Sequence, residues 1–121
     1  MNEDNKYKLS IVFDLDDTIC FPNHEKRDTY SKYYLAKPNT PVIRKMQEVQ
    51  KRGYYIIIHS ARRVVTHNGD TAKIEEDVAE ITRKWLDEYN VPFNELIFGK
   101  PYATAAYVDD KAMSIDEFLI Q

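Results

Sequence analysis

A chain of 121 residues suits one domain around one central core. Hydrophobic residues at 43% and charged residues at 31% exclude a disordered or membrane-embedded chain, and a net charge of -3 argues against bulk binding to a phosphate backbone. The single cysteine, Cys20, rules out an internal disulfide and is expected to sit passively as a small hydrophobe.

In chain order, Met1 to Lys8 is polar and lacks the apolar stretch of a signal peptide, so a cytoplasmic location is expected. Leu9 to Phe13 reads as a short buried strand. Residues 21–39 are mixed and polar, with Pro22 and Pro38 as punctuation, which predicts a long loop holding some local structure. Asn39-Thr40-Pro41 has the form of a helix start, and Val42, Met46 and Val49 fall at helical spacing before Gly53. Tyr54 to Ile58 is aromatic and β-branched, hence a second strand, and too short to cross a bilayer. His59 to Asp70 is a loop containing the turn dipeptide Asn68-Gly69. Thr71 to Tyr89 gives the clearest helix, with Ile74, Val78, Ile81, Trp85 and Tyr89 on one face. Glu95 to Phe98 is predicted as a third strand, Ala105 to Val108 as a fourth, and Ser114 to Ile120 as a terminal helical turn. This alternation implies a mainly parallel sheet, in which ligands sit beyond the carboxyl ends of the strands.

Those ends carry the chemistry. Asp14, Asp16 and Thr18 follow the first strand, Ser60 and Arg62 the second, Lys100 the third, and the Asp109-Asp110 pair the predicted fourth. Carboxylates packed so closely repel one another unless an opposing charge offsets them, and a hard divalent cation such as Mg²⁺ does so with oxygen ligands. A phosphoryl group bridging the cation to hydroxyl and basic side chains would use the whole set.

Phe13-Asp14-Leu15-Asp16-Asp17-Thr18, Ser60, Lys100 and Asp109-Asp110 together resemble, in order and strand context, the four motifs of the haloacid dehalogenase (HAD) superfamily of phosphohydrolases. Ser60-Ala61-Arg62, Val91-Pro92-Phe93, Gly99-Lys100-Pro101 and Tyr107-Val108-Asp109-Asp110-Lys111 further resemble a small capless branch associated with capsular polysaccharide biosynthesis. The resemblance implies one HAD-like hydrolase domain over residues 1–121, folded as a Rossmann-like three-layer α/β sandwich. It implies that Asp14 is the nucleophile and Asp16 the general acid and base. Thr18, Ser60, Arg62 and Lys100 would bind phosphate. Mg²⁺ would be held by a carboxylate oxygen of Asp14, the backbone carbonyl of Asp16 and the side chain of Asp109, with Asp110 behind these ligands or as an additional one.

The expected activity is hydrolysis of a phosphomonoester, with a sugar phosphate or related metabolite as the small phosphorylated substrate. No segment is long enough for a cap, so the site is expected to be open, flanked by residues 21–39 and 62–70 or by a second subunit. The small sheet also invites homo-oligomer formation. Tyr30, Tyr33 and Tyr34 would form a substrate wall, a subunit contact or ordinary packing. Three alternatives stay open: a phosphatase for nucleotides or nucleic-acid 3′ ends, a phospho-receiver domain, and a binding protein without turnover. A receiver is disfavoured because the second strand ends in His59-Ser60 without an aspartate. A kinase is disfavoured because Gly99-Lys100-Pro101 lacks the spacing of a phosphate-binding loop.

Overall fold

The computed structural model describes residues 9–121; the polar Met1 to Lys8 segment lies outside the described residues. Three strands, β1 (Ser10–Phe13), β4 (Tyr55–Ser60) and β5 (Glu95–Phe98), form a parallel sheet in the order β1-β4-β5. Ile11 pairs with Ile56 and Phe13 with Ile58, while Ile58 pairs with Leu96 and Ser60 with Phe98. This register brings the carboxyl ends of all three strands to one edge. Between β1 and β4 lie β2 (Cys20–Phe21), α1 (Thr29–Tyr34), β3 (Lys37–Pro38) and α2 (Thr40–Lys51). β2 and β3 pair antiparallel, so the expected loop contains a small hairpin-like clasp and one short helix. α3 (Thr71–Glu88) leads to β5, and α4 (Ile115–Leu119) closes the described chain.

Side chains alternate across a strand, so Ile11, Phe13, Ile56, Ile58, Leu96 and Phe98 share one face. Val42, Ile43, Met46 and Val49 of α2, Trp85 and Leu86 of α3 and Phe118 of α4 pack with that face. Ile74, Val78 and Ile81 of α3 meet Phe98 in an adjoining cluster. The opposite face leaves Val12 59% and Ile97 40% exposed. The α/β architecture with a small, open, parallel sheet is as expected. The strand order advances in one direction from β1, so crossovers of one hand place α2 and α3 on the same side.

Two further differences have clear causes. Asn39 makes no side-chain cap on α2; its Nδ2 donates to the carbonyl of Thr18 at 3.0 Å, tying the helix start to the acidic loop. Residues 105–108 form no strand, which corrects the fourth predicted element. Tyr107 instead folds back, its hydroxyl donating to the Pro101 carbonyl and accepting from the Ala103 N–H. Ala105 and Ala106 offer little apolar area, so pairing there would gain little at about 25 cal/mol per Å². Val108 is left 99% exposed. The remaining elements fall close to their predicted bounds. No helix among the described residues is long and apolar enough to cross a membrane.

Candidate active site

The loop after β1 is wound around one carbonyl: Leu15 accepts from the N–H groups of Thr18, Ile19 and Cys20 at 3.3, 2.8 and 3.3 Å. Asp17 takes a positive φ of 66° within the turn, and its N–H donates to the Cys20 carbonyl at 2.7 Å. Leu15 and Ile19 are thereby sunk into the core. Asp14 and Asp16 keep partly exposed side chains at the mouth of the cleft.

Each acid has a different basic partner. Lys100 lies just beyond β5, where its N–H donates to the Ser60 carbonyl at 3.1 Å, and its Nζ reaches Asp14 Oδ1 at 3.4 Å. Thr18 Oγ1 donates to Asp14 Oδ2 at 3.3 Å. Asp16 faces Arg62, whose Nε lies 3.1 and 3.0 Å from its two carboxylate oxygens and whose Nη2 lies 2.8 Å from Oδ1. Burial opposes the Arg62 charge, but the Asp16 carboxylate more than offsets this and the guanidinium pKa is raised. Burial also pushes the Cys20 thiol far up, reinforced by Asp16, so it is an inert thiol beside the site. His59, at the end of β4, has its pKa lowered by burial and by Lys100. Its ring is therefore neutral at pH 7.

The structure brings Asp14, Asp16, Thr18, Ser60, Arg62 and Lys100 together, with differing access. Ser60 is fully buried, and its Oγ accepts from the Arg62 N–H at 3.1 Å. Asp109 and Asp110 stand apart in solvent. Asp109 Oδ1 accepts from the Lys111 N–H at 2.8 Å, and Asp110 pairs with Lys111 Nζ at 3.3 Å. The N–H of Lys111 holds the Asp109 carboxyl below the usual carboxylate range. Among the described residues no three acidic, histidine or cysteine side chains gather to hold a metal. Of the expected oxygen donors, the Asp14 carboxylate stands in the cleft while Asp109 lies exposed beside Lys111, so the acids gathered at the cleft do not by themselves complete a Mg²⁺ site. Lys100 and Arg62 offset part of the negative charge that these carboxylates carry.

The cleft, about 480 Å³, is walled by Tyr33, Arg63, Tyr102 and Tyr107 beside Asp14 and Asp16. Lys100 Nζ sits 4.4 Å from the Tyr107 ring centroid, so residues 101–107 form one side of the site. Thr82 and the Arg63–Asp77–His67 cluster escaped the sequence reading. Thr82 was legible as a polar residue on the apolar side of α3, next to Ile81 and Trp85. Asp77 accepts from Arg63 Nε and pairs with His67 Nε2, each at 2.8 Å, linking the 61–70 loop to α3.

Parallel strands ending in Asp-Leu-Asp-Asp-Thr, a serine and a lysine define a class, the HAD-type phosphatases. Residues 8–106, well over half of the chain, match the family model described as the polynucleotide kinase PNKP phosphatase domain (HAD_PNKP). The chain belongs to this HAD phosphatase family. A structural-genomics target from Vibrio cholerae is similar in structure at a TM-score of 0.81 and 30% identity, over 93% of this chain and 89% of that one. The Pnkp1/Rnl/Hen1 complex contains a chain matched at a TM-score of 0.55 and 24% identity, over 93% of this chain and 33% of that one. A structure of the Pnkp1/Rnl/Hen1 RNA repair complex matches at 0.55 and 20%, covering 29% of its chain. Both show a shared fold. No curated protein matches the sequence.

Proposed function

We propose that this phosphatase hydrolyses phosphomonoesters through an aspartyl-phosphate on Asp14. The observation that carries the reading is the pairing of two neighbouring acids with different partners, Asp14 with Lys100 and Asp16 with Arg62. An oxygen of Asp14 attacks phosphorus, forming a P–O bond to the carboxylate while the bond to the leaving alkoxide breaks. Lys100 offsets the charge that accumulates as a phosphate dianion approaches Asp14. Thr18 fixes the rotation of the Asp14 carboxylate. Asp16 delivers a proton to the leaving oxygen and then takes one from water, whose oxygen attacks phosphorus and releases inorganic phosphate from Asp14. Oδ2 is the less engaged Asp16 oxygen and so the one suited to this exchange: it accepts from Arg62 Nε at 3.0 Å, whereas Oδ1 accepts from Nε, Nη2 and Cys20 Sγ.

HAD phosphatases generally use Mg²⁺, which a carboxylate oxygen of Asp14, the backbone carbonyl of Asp16 and the side chain of Asp109 would hold, with Asp110 in support. Residues 105–110 would have to come against the Asp14 edge for Asp109 to serve. The substrate class we favour is a sugar phosphate or related metabolite of polysaccharide biosynthesis in the cytoplasm, since the net charge of -3 disfavours long nucleic acids. A second reading, removal of phosphate from a nucleic-acid 3′ end, draws support from the family match and from Tyr102 and Tyr107, on which a base could stack. Phosphate release from sugar phosphates, nucleotides and 3′-phosphorylated oligonucleotides, with and without Mg²⁺, tests both. Turnover confined to the oligonucleotides would overturn the metabolite reading.

A further inference from the structure

We propose that Arg62 is a positioning residue that fixes the Asp16 carboxylate, and that it does not bind the transferring phosphoryl group. The inference rests on the reading of Asp16 as the acid–base residue. Although Arg62 borders the cleft, its side chain has no exposed area. Each of its nitrogens bonds to protein. Nε and Nη2 clasp Asp16, Nη1 donates to Thr82 Oγ1 at 3.0 Å, and Nη2 also reaches Cys20 Sγ at 3.5 Å. The Tyr33 ring covers one face of the guanidinium, its centroid 4.0 Å from Cζ. Tyr33 comes from α1, Thr82 from α3 and Asp16 from the loop after β1. The planar fork is therefore gripped from three separate elements. A phosphate oxygen could reach Arg62 only by displacing Asp16 or Tyr33. Lys100, with its side chain 20% exposed, is an accessible cation in contact with Asp14, and Arg63 and Lys32 also line the cleft.

This arrangement separates two jobs that the sequence had merged. The guanidinium holds one acid in a fixed rotamer, and substrate anion binding falls to the more exposed cations, Lys100 beside Asp14 and Arg63 on the cleft wall. Thr82 and Tyr33 act through Arg62 in the same sense, setting the plane of the fork.

Steady-state kinetics and calorimetric binding of inorganic phosphate should be measured on the full chain, Arg62→Lys, Arg62→Ala and Thr82→Val. Expected for Arg62→Ala is a kcat loss of about 100-fold or more, the scale of a disabled general acid. KM and the Kd for phosphate should stay within about threefold, because ground-state binding is untouched. Added guanidinium should restore part of kcat in Arg62→Ala, which a purely structural defect would not allow. Arg62→Lys and Thr82→Val should show smaller kcat losses with the same unchanged Kd, and they stand in if Arg62→Ala does not fold. Phosphate binding weakened about tenfold or more in any variant overturns the proposal, as does unchanged kcat in both Arg62→Lys and Thr82→Val. Absent turnover in the wild type would instead count against the phosphatase reading, while the phosphate-binding comparison would still decide whether Arg62 is a ligand.

Discussion

The two acid clusters of this molecule sit in opposite environments. Asp14 and Asp16 emerge from a loop whose neighbours, Leu15 and Ile19, are sunk in the core, and they are clasped by Lys100 and Arg62 from two other strand ends. Asp109 and Asp110 follow a stretch with Val108 in full solvent, and their hydrogen bonds run to each other and to the adjacent Lys111. The same residue type at the same kind of sequence position thus becomes a prearranged site in one place and a hydrated turn in the other. Burial of the flanking apolar residues makes the difference: it fixes backbone direction, and backbone direction fixes where a short carboxylate can reach.

The sharpest way to break this contrast is to remove the inner acids. Asp14→Asn should lower kcat by at least about 1,000-fold in a phosphate-release assay, with the melting temperature little changed because the side chain is partly exposed. Robust turnover in that variant would mean the nucleophile lies elsewhere. Stability should divide along the same line. Phe118 is buried edge-on against Phe13 with ring centroids 5.1 Å apart. Phe118→Ala should therefore cost about 3–5 kcal/mol in denaturant unfolding. Val108→Ala should stay within about 0.5 kcal/mol. Equal losses at the two positions would show that residues 105–110 are packed in solution.

A third comparison addresses the outer acids directly. If Asp109 serves a cation, chelator should abolish turnover, Mg²⁺ should restore it, and Asp109→Asn should raise the Mg²⁺ concentration for half-activity about tenfold. A variant titrating like the wild type would confine the active acids to the inner cluster.

The smallest effect concerns the Arg63–Asp77–His67 link. Burial pushes the Asp77 carboxyl up, but hydrogen bonds from His67 and Arg63 together outweigh it and hold its pKa below the usual carboxylate range. A lowered acid pKa stabilises the fold above the unfolded value near 4, and that contribution disappears as pH falls through the folded value. Asp77→Asn should therefore be less stable than the wild type at pH 7, by less than about 1 kcal/mol, and the gap should close as pH falls through the lowered folded value of the carboxyl. A gap that persists at low pH would assign the loss to packing.

Much of this was legible in the amino-acid order. Glu95–Phe98 and the long α3 announce themselves through β-branched and periodic apolar residues, and Asp14, Asp16, Ser60 and Lys100 stand at or just beyond the ends of β1, β4 and β5, where the apolar runs of the sequence stop. Two-residue strands such as Cys20–Phe21 and Lys37–Pro38 carry no periodicity, so their pairing could not be read. Ala105 to Val108 has an apolar look, but two alanines give it little area to bury. Asn39 has the composition of a cap, yet the Thr18 carbonyl competes for its side chain, a contact made across 21 residues. Arg62 illustrates the same limit. Its residue type allowed phosphate or carboxylate recognition, and only the positions of Tyr33 and Thr82 decide between them.

The central claim is that Asp14 is transiently phosphorylated during turnover. Rapid acid quenching of the wild-type enzyme with phosphorylated substrate, followed by peptide mass spectrometry, reads this directly. The account predicts a phosphoryl adduct on the Asp14-bearing peptide, absent in Asp14→Asn. An adduct on another residue of the actively turning-over enzyme would contradict it.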